Sequence, residues 1–291
     1  MKITITIVSA LIIFVLGGLC YLNRPHLVVI DRALPADFPE SGFSHDVFES
    51  LLKTYVADGH VDYNSWHDSD DASDNLNSYL AAVGRYSPEN SPDRFNTRHD
   101  ELAYWLYAYN AYVIRGVLDR WPIGSVTDVK APLEIVKGFG FFYQQRYLFG
   151  EKPYSLYAIE NSKIRGKYKD ARIHFVLNCG SESCPVMRPE LPDGSELEAL
   201  LQQAAIDFVG DERNVRVDHV NKQIILSEIF KWYEKDFVND LRYRGLPTEN
   251  GLVGYVAGIA TGSKRDQLLG SVDYDVVFDD YDWSVNQSLA H

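Results

Sequence analysis

The stretch His174-Phe175-Val176-Leu177-Asn178-Cys179-Gly180-Ser181-Glu182-Ser183-Cys184-Pro185 carries two of the chain's three cysteines. A thiol beside an imidazole is the minimum for covalent catalysis, with Cys179 or Cys184 as nucleophile and His174 as base. The same residues admit three duller arrangements. Cys179 and Cys184 close a loop short enough for a disulfide in an oxidising compartment. His174, both cysteines and a carboxylate would make a zinc site, although this cysteine spacing is only weakly diagnostic. Both sulfurs also suit plain core, where unpaired cysteine is commonly buried. Residue chemistry alone leaves all four open.

Two further side chains qualify as orienting partners for the imidazole. Glu160 stands on a predicted helix one turn before Ile164-Arg165, where a solvated or ion-paired carboxylate is the plain alternative. Asn110 follows the rings of Tyr104, Trp105, Tyr107 and Tyr109, where a satisfied core amide is the plain alternative. The remaining histidines, His26, His45, His60, His67, His99, His219 and His291, lack metal-ligand spacing. Asp273, Asp275, Asp279, Asp280 and Asp282 lack the glycine of a calcium loop. No cofactor and no metal is called for.

The elements that must position these groups follow from periodicity. Leu102, Trp105, Leu106, Tyr109, Val113 and Val117 predict a helix over 99–119, ended by Trp121-Pro122. Ser44 and Ser73 stand ready to cap helices over 45–56 and up to Val83, and Ser155 one through Arg165. Residues 172–178 read as a strand after Lys169-Asp170. In a strand, His174 and Cys179 are separated by up to about 16–17 Å, so their contact requires a sharp fold-back, whereas a turn at Gly180 would let Cys184 return toward His174 more easily. Pro185 suits the first position of a helix, which would lower the Cys184 thiol pKa. Backbone amides around Gly180 would receive an oxyanion.

Hairpins are expected at Phe139–Phe142 with Arg146–Phe149, and at Val215–Val217 with Gln223–Leu226. Helices are expected from Ser195 to Val209, over 228–240 and over 249–260, with a strand at Val272–Phe278. Strands and helices mix without strict βαβ alternation. The fold class is therefore α+β, a single mixed domain with helices on a small, mainly antiparallel sheet.

The acidic excess, 41 carboxylates against 28 basic side chains, argues against a nucleic-acid partner. The uncharged run Ile3 to Leu22 is long enough to cross a bilayer, which takes about 20 residues. Leu19 before Cys20 is too large for a lipidation signal, and no small-x-small cleavage site follows. The organisation expected is an anchor or signal at 1–22, a Pro-containing tether at 23–43 and a globular part at 44–291 outside the cytoplasm. The chain would be held at the membrane, or secreted or periplasmic if cleaved.

The order of motifs resembles the domain of unknown function 547 family. The matching pieces are Val61-Asp62-Tyr63, the Trp105–Asn110 helix with Tyr109-Asn110-Ala111, and Leu156-Tyr157-Ala158-Ile159-Glu160. Arg172-Ile173-His174-Phe175, Asn178-Cys179-Gly180 with Ser183-Cys184-Pro185, and Tyr281-Asp282-Trp283-Ser284 complete them. The family usually has asparagine where Tyr107 stands, and commonly histidine where Asn161 stands. Its Cys/His content invites comparison with thiol enzymes, although the 99–119 helix carries no cysteine, unlike the central helix of papain-like enzymes. The function expected is a thiol-dependent hydrolase or acyltransferase acting on an amide or ester outside the cytoplasm. His174, Cys179, Cys184, Glu160 and Asn110 would form its site, and its partner would be an unknown substrate. The alternative is a non-enzymatic module, bound to an envelope protein, whose Cys179–Cys184 pair is a structural disulfide.

Overall fold

In the computed structural model the described residues are 17, 18, 21, 23–134 and 136–288. The run Ile3 to Leu22 lies almost wholly outside them, as do Cys20 and His291. Among the described residues no helix is long and apolar enough to cross a membrane.

The helix Arg98–Leu118 runs through the middle of the core. A capping box starts it: the Thr97 hydroxyl accepts from the Asp100 amide, and the Asp100 carboxylate accepts from the Thr97 amide. From Leu102 to Ile114 every residue is buried, so the helix is a core rod rather than an amphipathic surface helix. The helices Asp46–Tyr55 and Asp70–Arg85 lie on one side of the core. The second of these is capped by Ser69, not by Ser73. A helical segment over 156–168 starts at the Ser155 cap and widens to a π-helical turn at Ile159–Arg165. Leu197–Gly210, Glu228–Trp232, Glu234–Tyr243 and Gly251–Ile259 follow in the C-terminal half. One buried apolar cluster reaches from Phe48 to Leu268.

The architecture is α+β, but the strands form small separate sheets rather than one. Gln145–Phe149 pairs antiparallel with Lys152–Tyr154 and parallel with His26–Leu27. Val56–Ala57 and His60–Val61 form a two-stranded turn. Val215–Asp218 and Gln223–Leu226 form the expected hairpin, and Asp275–Phe278 adds to it in parallel. Among the described residues three of the five strand pairings are antiparallel and two are parallel, spread over small sheets where a single one was expected.

Three local expectations fail for physical reasons. Phe139–Gln144 is a π-helical turn, so the first hairpin forms one segment later, around Gly150-Glu151. Residues 171–175 form a 3-10 turn, not a strand. Lys169 at φ 56° reverses the chain there, and the Asp170 carboxylate caps the Arg172 amide at 3.0 Å. Every residue from Ala171 to Asn178 is buried, and a short run with no exposed face gives a period-2 test nothing to detect. Finally, residues 185–193 are not helical, so Cys184 has no helix N-terminus beside it.

Candidate active site

The cysteine loop is seated on the central helix by Asn110. Its Nδ2 donates to the Val176 carbonyl at 3.0 Å, and its Oδ1 accepts from the Asn178 amide at 2.9 Å. Asn110 therefore clamps the backbone that carries the cysteines, and does not orient the imidazole. Asn178 continues the clamp. Its Nδ2 donates to the Pro185 carbonyl at 2.7 Å and its Oδ1 accepts from the Gly180 amide at 2.8 Å, drawing the two ends of the loop together. Gly180 has φ +81°, and a Cβ there would press on Val113 and Val126, each 3.2 Å away. A side chain is excluded both by conformation and by the approach to the helix.

The C-terminal tail closes the other side. The amides of Glu182 and Ser183 donate to the carbonyls of Ser284 and Asp282, and the Asn286 amide donates to Gly180. The Cys184 amide donates to the Ser181 carbonyl, and the Cys179 amide to the Cys184 Sγ at 2.9 Å. The amides of Cys179, Gly180, Glu182, Ser183 and Cys184 are thus already engaged and do not make the oxyanion hole expected from the sequence.

Cys179 and Cys184 are joined as a disulfide, their Cα atoms 6.2 Å apart. The tail brings Tyr281 onto this bond, with its hydroxyl 3.2 Å from the Cys179 Sγ and 3.1 Å from the Cys184 Sγ. The buried Ser181 hydroxyl lies 2.8 Å from the first sulfur and 3.5 Å from the second, and 3.0 Å from the Tyr281 oxygen. Burial holds the Tyr281 phenol above its ordinary pKa, so it remains a donor.

His174 is buried and stacked on Tyr233, with ring centroids 3.9 Å apart. Its Nε2 donates to the Asp236 Oδ2 at 2.9 Å. Because an ionised carboxylate only accepts, this bond fixes the tautomer and leaves Nδ1 as the basic nitrogen. Among the described residues Nδ1 has no hydrogen-bond partner, and no hydrogen bond joins the ring to either sulfur. Burial pushes the imidazole pKa down, and the Asp236 bond only partly opposes this. Burial alone would raise Asp236. The bonds from His174 and from the Arg165 Nε at 2.6 Å overcome it and hold the carboxyl at about 2.

Glu160 does not reach the imidazole. It accepts from the Tyr233 hydroxyl at 2.6 Å and so steadies the ring on which His174 stacks. Asn161 accepts from Arg165. Tyr107 points the other way, donating to the Pro192 carbonyl.

His174, Cys179, Cys184 and Glu160 all line one cavity of about 380 Å³. Its walls are otherwise mainly aromatic, including Tyr143, Tyr157, Trp232, Tyr233 and Trp283. Asn110 is not among its lining residues. Beyond the loop lies a second cavity of about 530 Å³ with a polar, carboxylate-bearing wall. Among the described residues no group of three or more His, Cys, Asp or Glu side chains converges as metal ligands, so the zinc arrangement is not assembled.

Residues 92–209 match the family described as protein of unknown function, DUF547. This DUF547 stretch holds Asn110, Glu160, His174 and both cysteines. Asp236 and Tyr281, which sequence reasoning did not place at the site, lie beyond it, as do the resembling pieces Val61–Tyr63 and Tyr281–Ser284. The Tyr281-Asp282-Trp283-Ser284 motif was a signal for the tail. Asp236 had none. No curated protein and no solved structure matches the chain.

Proposed function

We propose that the chain is a thiol-dependent hydrolase or acyltransferase acting on an amide or ester, with the disulfide as its resting form. The observation that carries this reading is the shared cavity, which takes in both sulfurs and a His174 ring backed by Asp236. Structural disulfides have no need of a buried, carboxylate-backed imidazole lining the same cavity. The cavity is also of a size and aromatic character suited to a small ligand group.

A dithiol reductant would first convert the pair to two thiols and leave as its own disulfide. His174 Nδ1 then takes the proton of one thiol, and the thiolate attacks the substrate carbonyl carbon. A C–S bond forms, the C–N or C–O bond breaks, and the leaving amine or alcohol takes the proton back from the imidazolium. Water or a second nucleophile next cleaves the thioester and regenerates the thiol. Asp236 holds the tautomer and steadies the imidazolium, the role of the acid in Ser-His-Asp arrangements. The test is release of nitrophenol from an activated ester before and after dithiol treatment. Turnover should require reduction and vanish in a Cys179→Ser/Cys184→Ser variant. Equal turnover in that variant would contradict the reading.

The sulfur–sulfur bond itself favours a second reading, a non-enzymatic envelope interaction module with a structural disulfide. It expects no reductant-dependent turnover and a loss of stability on reduction. In either reading the uncharged Ile3–Leu22 run motivates export, with the globular part anchored outside the cytoplasm or released there. A reporter fused after His291 that is active only in the cytoplasm would rule this out.

A further inference from the structure

The two sulfurs are not equivalent. Cys179 lines only the aromatic cavity of the two beside the loop, whereas Cys184 lines both. Their donors differ as well. The Cys179 sulfur has two hydroxyls near it, those of Ser181 and Tyr281. The Cys184 sulfur has the same two and also the Cys179 backbone N–H at 2.9 Å. A hydroxyl can turn from one sulfur to the other. The amide is fixed by a backbone tied through Asn178 and Gly180, so its dipole is committed to Cys184.

We infer that Cys184 is the attacking sulfur, its thiolate cradled by the Cys179 amide and the Tyr281 and Ser181 hydroxyls at the partition between two cavities. This rests on the thiol-dependent reading and decides which cysteine acts. Donors aimed at a sulfur favour its anionic form, and the better stabilised thiolate is the better leaving group in exchange. An incoming dithiol therefore attacks the Cys179 Sγ, the S–S bond breaks, and Cys184 departs as thiolate. The reductant's second thiol then displaces Cys179 from the mixed disulfide, takes up the bond as its own disulfide and completes a two-electron reduction. Tyr281, brought in by the C-terminal tail, becomes a positioning group for the nucleophile. The opening of Cys184 onto a second, polar cavity gives a thioester there a path for an acceptor that does not cross the site of the acyl group.

The test uses the full chain reduced with a dithiol, then treated with limiting iodoacetamide across a pH series, with peptide mapping to report each cysteine and set Cys20 apart. Cys184 should label about tenfold or more ahead of Cys179 at neutral pH, with a midpoint below the ordinary thiol value of about 8.5. Tyr281→Phe should raise the Cys184 midpoint by about one pH unit, the scale of losing one good donor, and Ser181→Ala should raise it less. Faster labelling of Cys179, or a Cys184 midpoint at or above the ordinary value in the unmutated chain, overturns the inference without reference to either variant. A midpoint unmoved by Tyr281→Phe also overturns the cradle. No substrate enters the measurement. A low Cys184 midpoint without ester turnover would sink the acyl-transfer reading alone, and turnover through Cys179 would sink this inference alone.

Discussion

Two buried histidines sit in this molecule in different company. His45 is packed among Phe43, Tyr79 and Tyr107, and its ring bonds the Tyr79 hydroxyl at 2.8 Å. His174 is equally buried and also stacked on rings, but it adds a carboxylate and a wall of an open cavity. Burial drives the His45 pKa down to about 3, by penalising the charged form. The same burial lowers His174, while Asp236 opposes it and stands ready to steady a transient charge. A histidine sealed by rings is core. One that is sealed on one side, tautomer-fixed on the second and open on the third can move a proton.

The largest effect separating the two should be on chemistry. His174→Phe is expected to cut reductant-dependent ester turnover by about 10²–10⁴-fold, the usual worth of a general base. His45→Phe should leave it within about twofold, a span far below one tenfold step of about 1.4 kcal/mol. Parallel rate measurements on the two variants check this, and equal losses would erase the distinction.

The second effect is on stability in acid. The folded pKa of His45 lies below its unfolded value of 6.5, so the unfolded chain binds more protons between them. Its contribution is fully present above about 6.5 and is lost as pH falls toward about 3, a change on the order of a few kcal/mol. Urea titrations at several pH values should show that slope in the unmutated chain and a shallower one in His45→Phe.

A smaller effect is expected of Asp236→Asn. Losing the charged acceptor for His174 and Arg165 should cost about 1–3 kcal/mol at neutral pH. The carboxyl is depressed on folding, so its share is present above about 3.8 and lost as pH falls toward about 2. Urea midpoints for the variant should therefore converge on those of the unmutated chain below that window. A constant gap at all pH values would mean that Asp236 acts by shape alone.

Much of the scaffold was readable in the sequence because its signals are local. The central helix announces itself by its apolar period and its Trp121-Pro122 end, and the 215–226 hairpin by its turn. The cysteine pair was visible from spacing. The 171–175 turn was not, because burial on every side removes the alternation that distinguishes strand from helix. Glu160 and Asn110 are the partners the sequence offers the imidazole, whereas the carboxylate that arrives is Asp236, 62 residues beyond His174. Tyr281 reaches the sulfurs from about a hundred residues away. Long-range pairs of this kind are set by how helices and tail pack, and no spacing in the chain encodes them. The amides of Cys179, Gly180, Glu182 and Ser183 were lost to an oxyanion hole for a related reason, since the Cys184 sulfur, Asn178 and the tail take their hydrogen bonds.

The decisive event is acylation of a sulfur in this loop. The direct measurement is peptide mass spectrometry of the dithiol-reduced chain, quenched in acid after brief exposure to an activated acetate ester. The result predicted is one acetyl group on Cys184, absent from the oxidised chain and strongly reduced in His174→Phe. Acetyl groups found only on surface lysines, with Cys179 and Cys184 unmodified after reduction, would contradict it and leave the disulfide a structural tie.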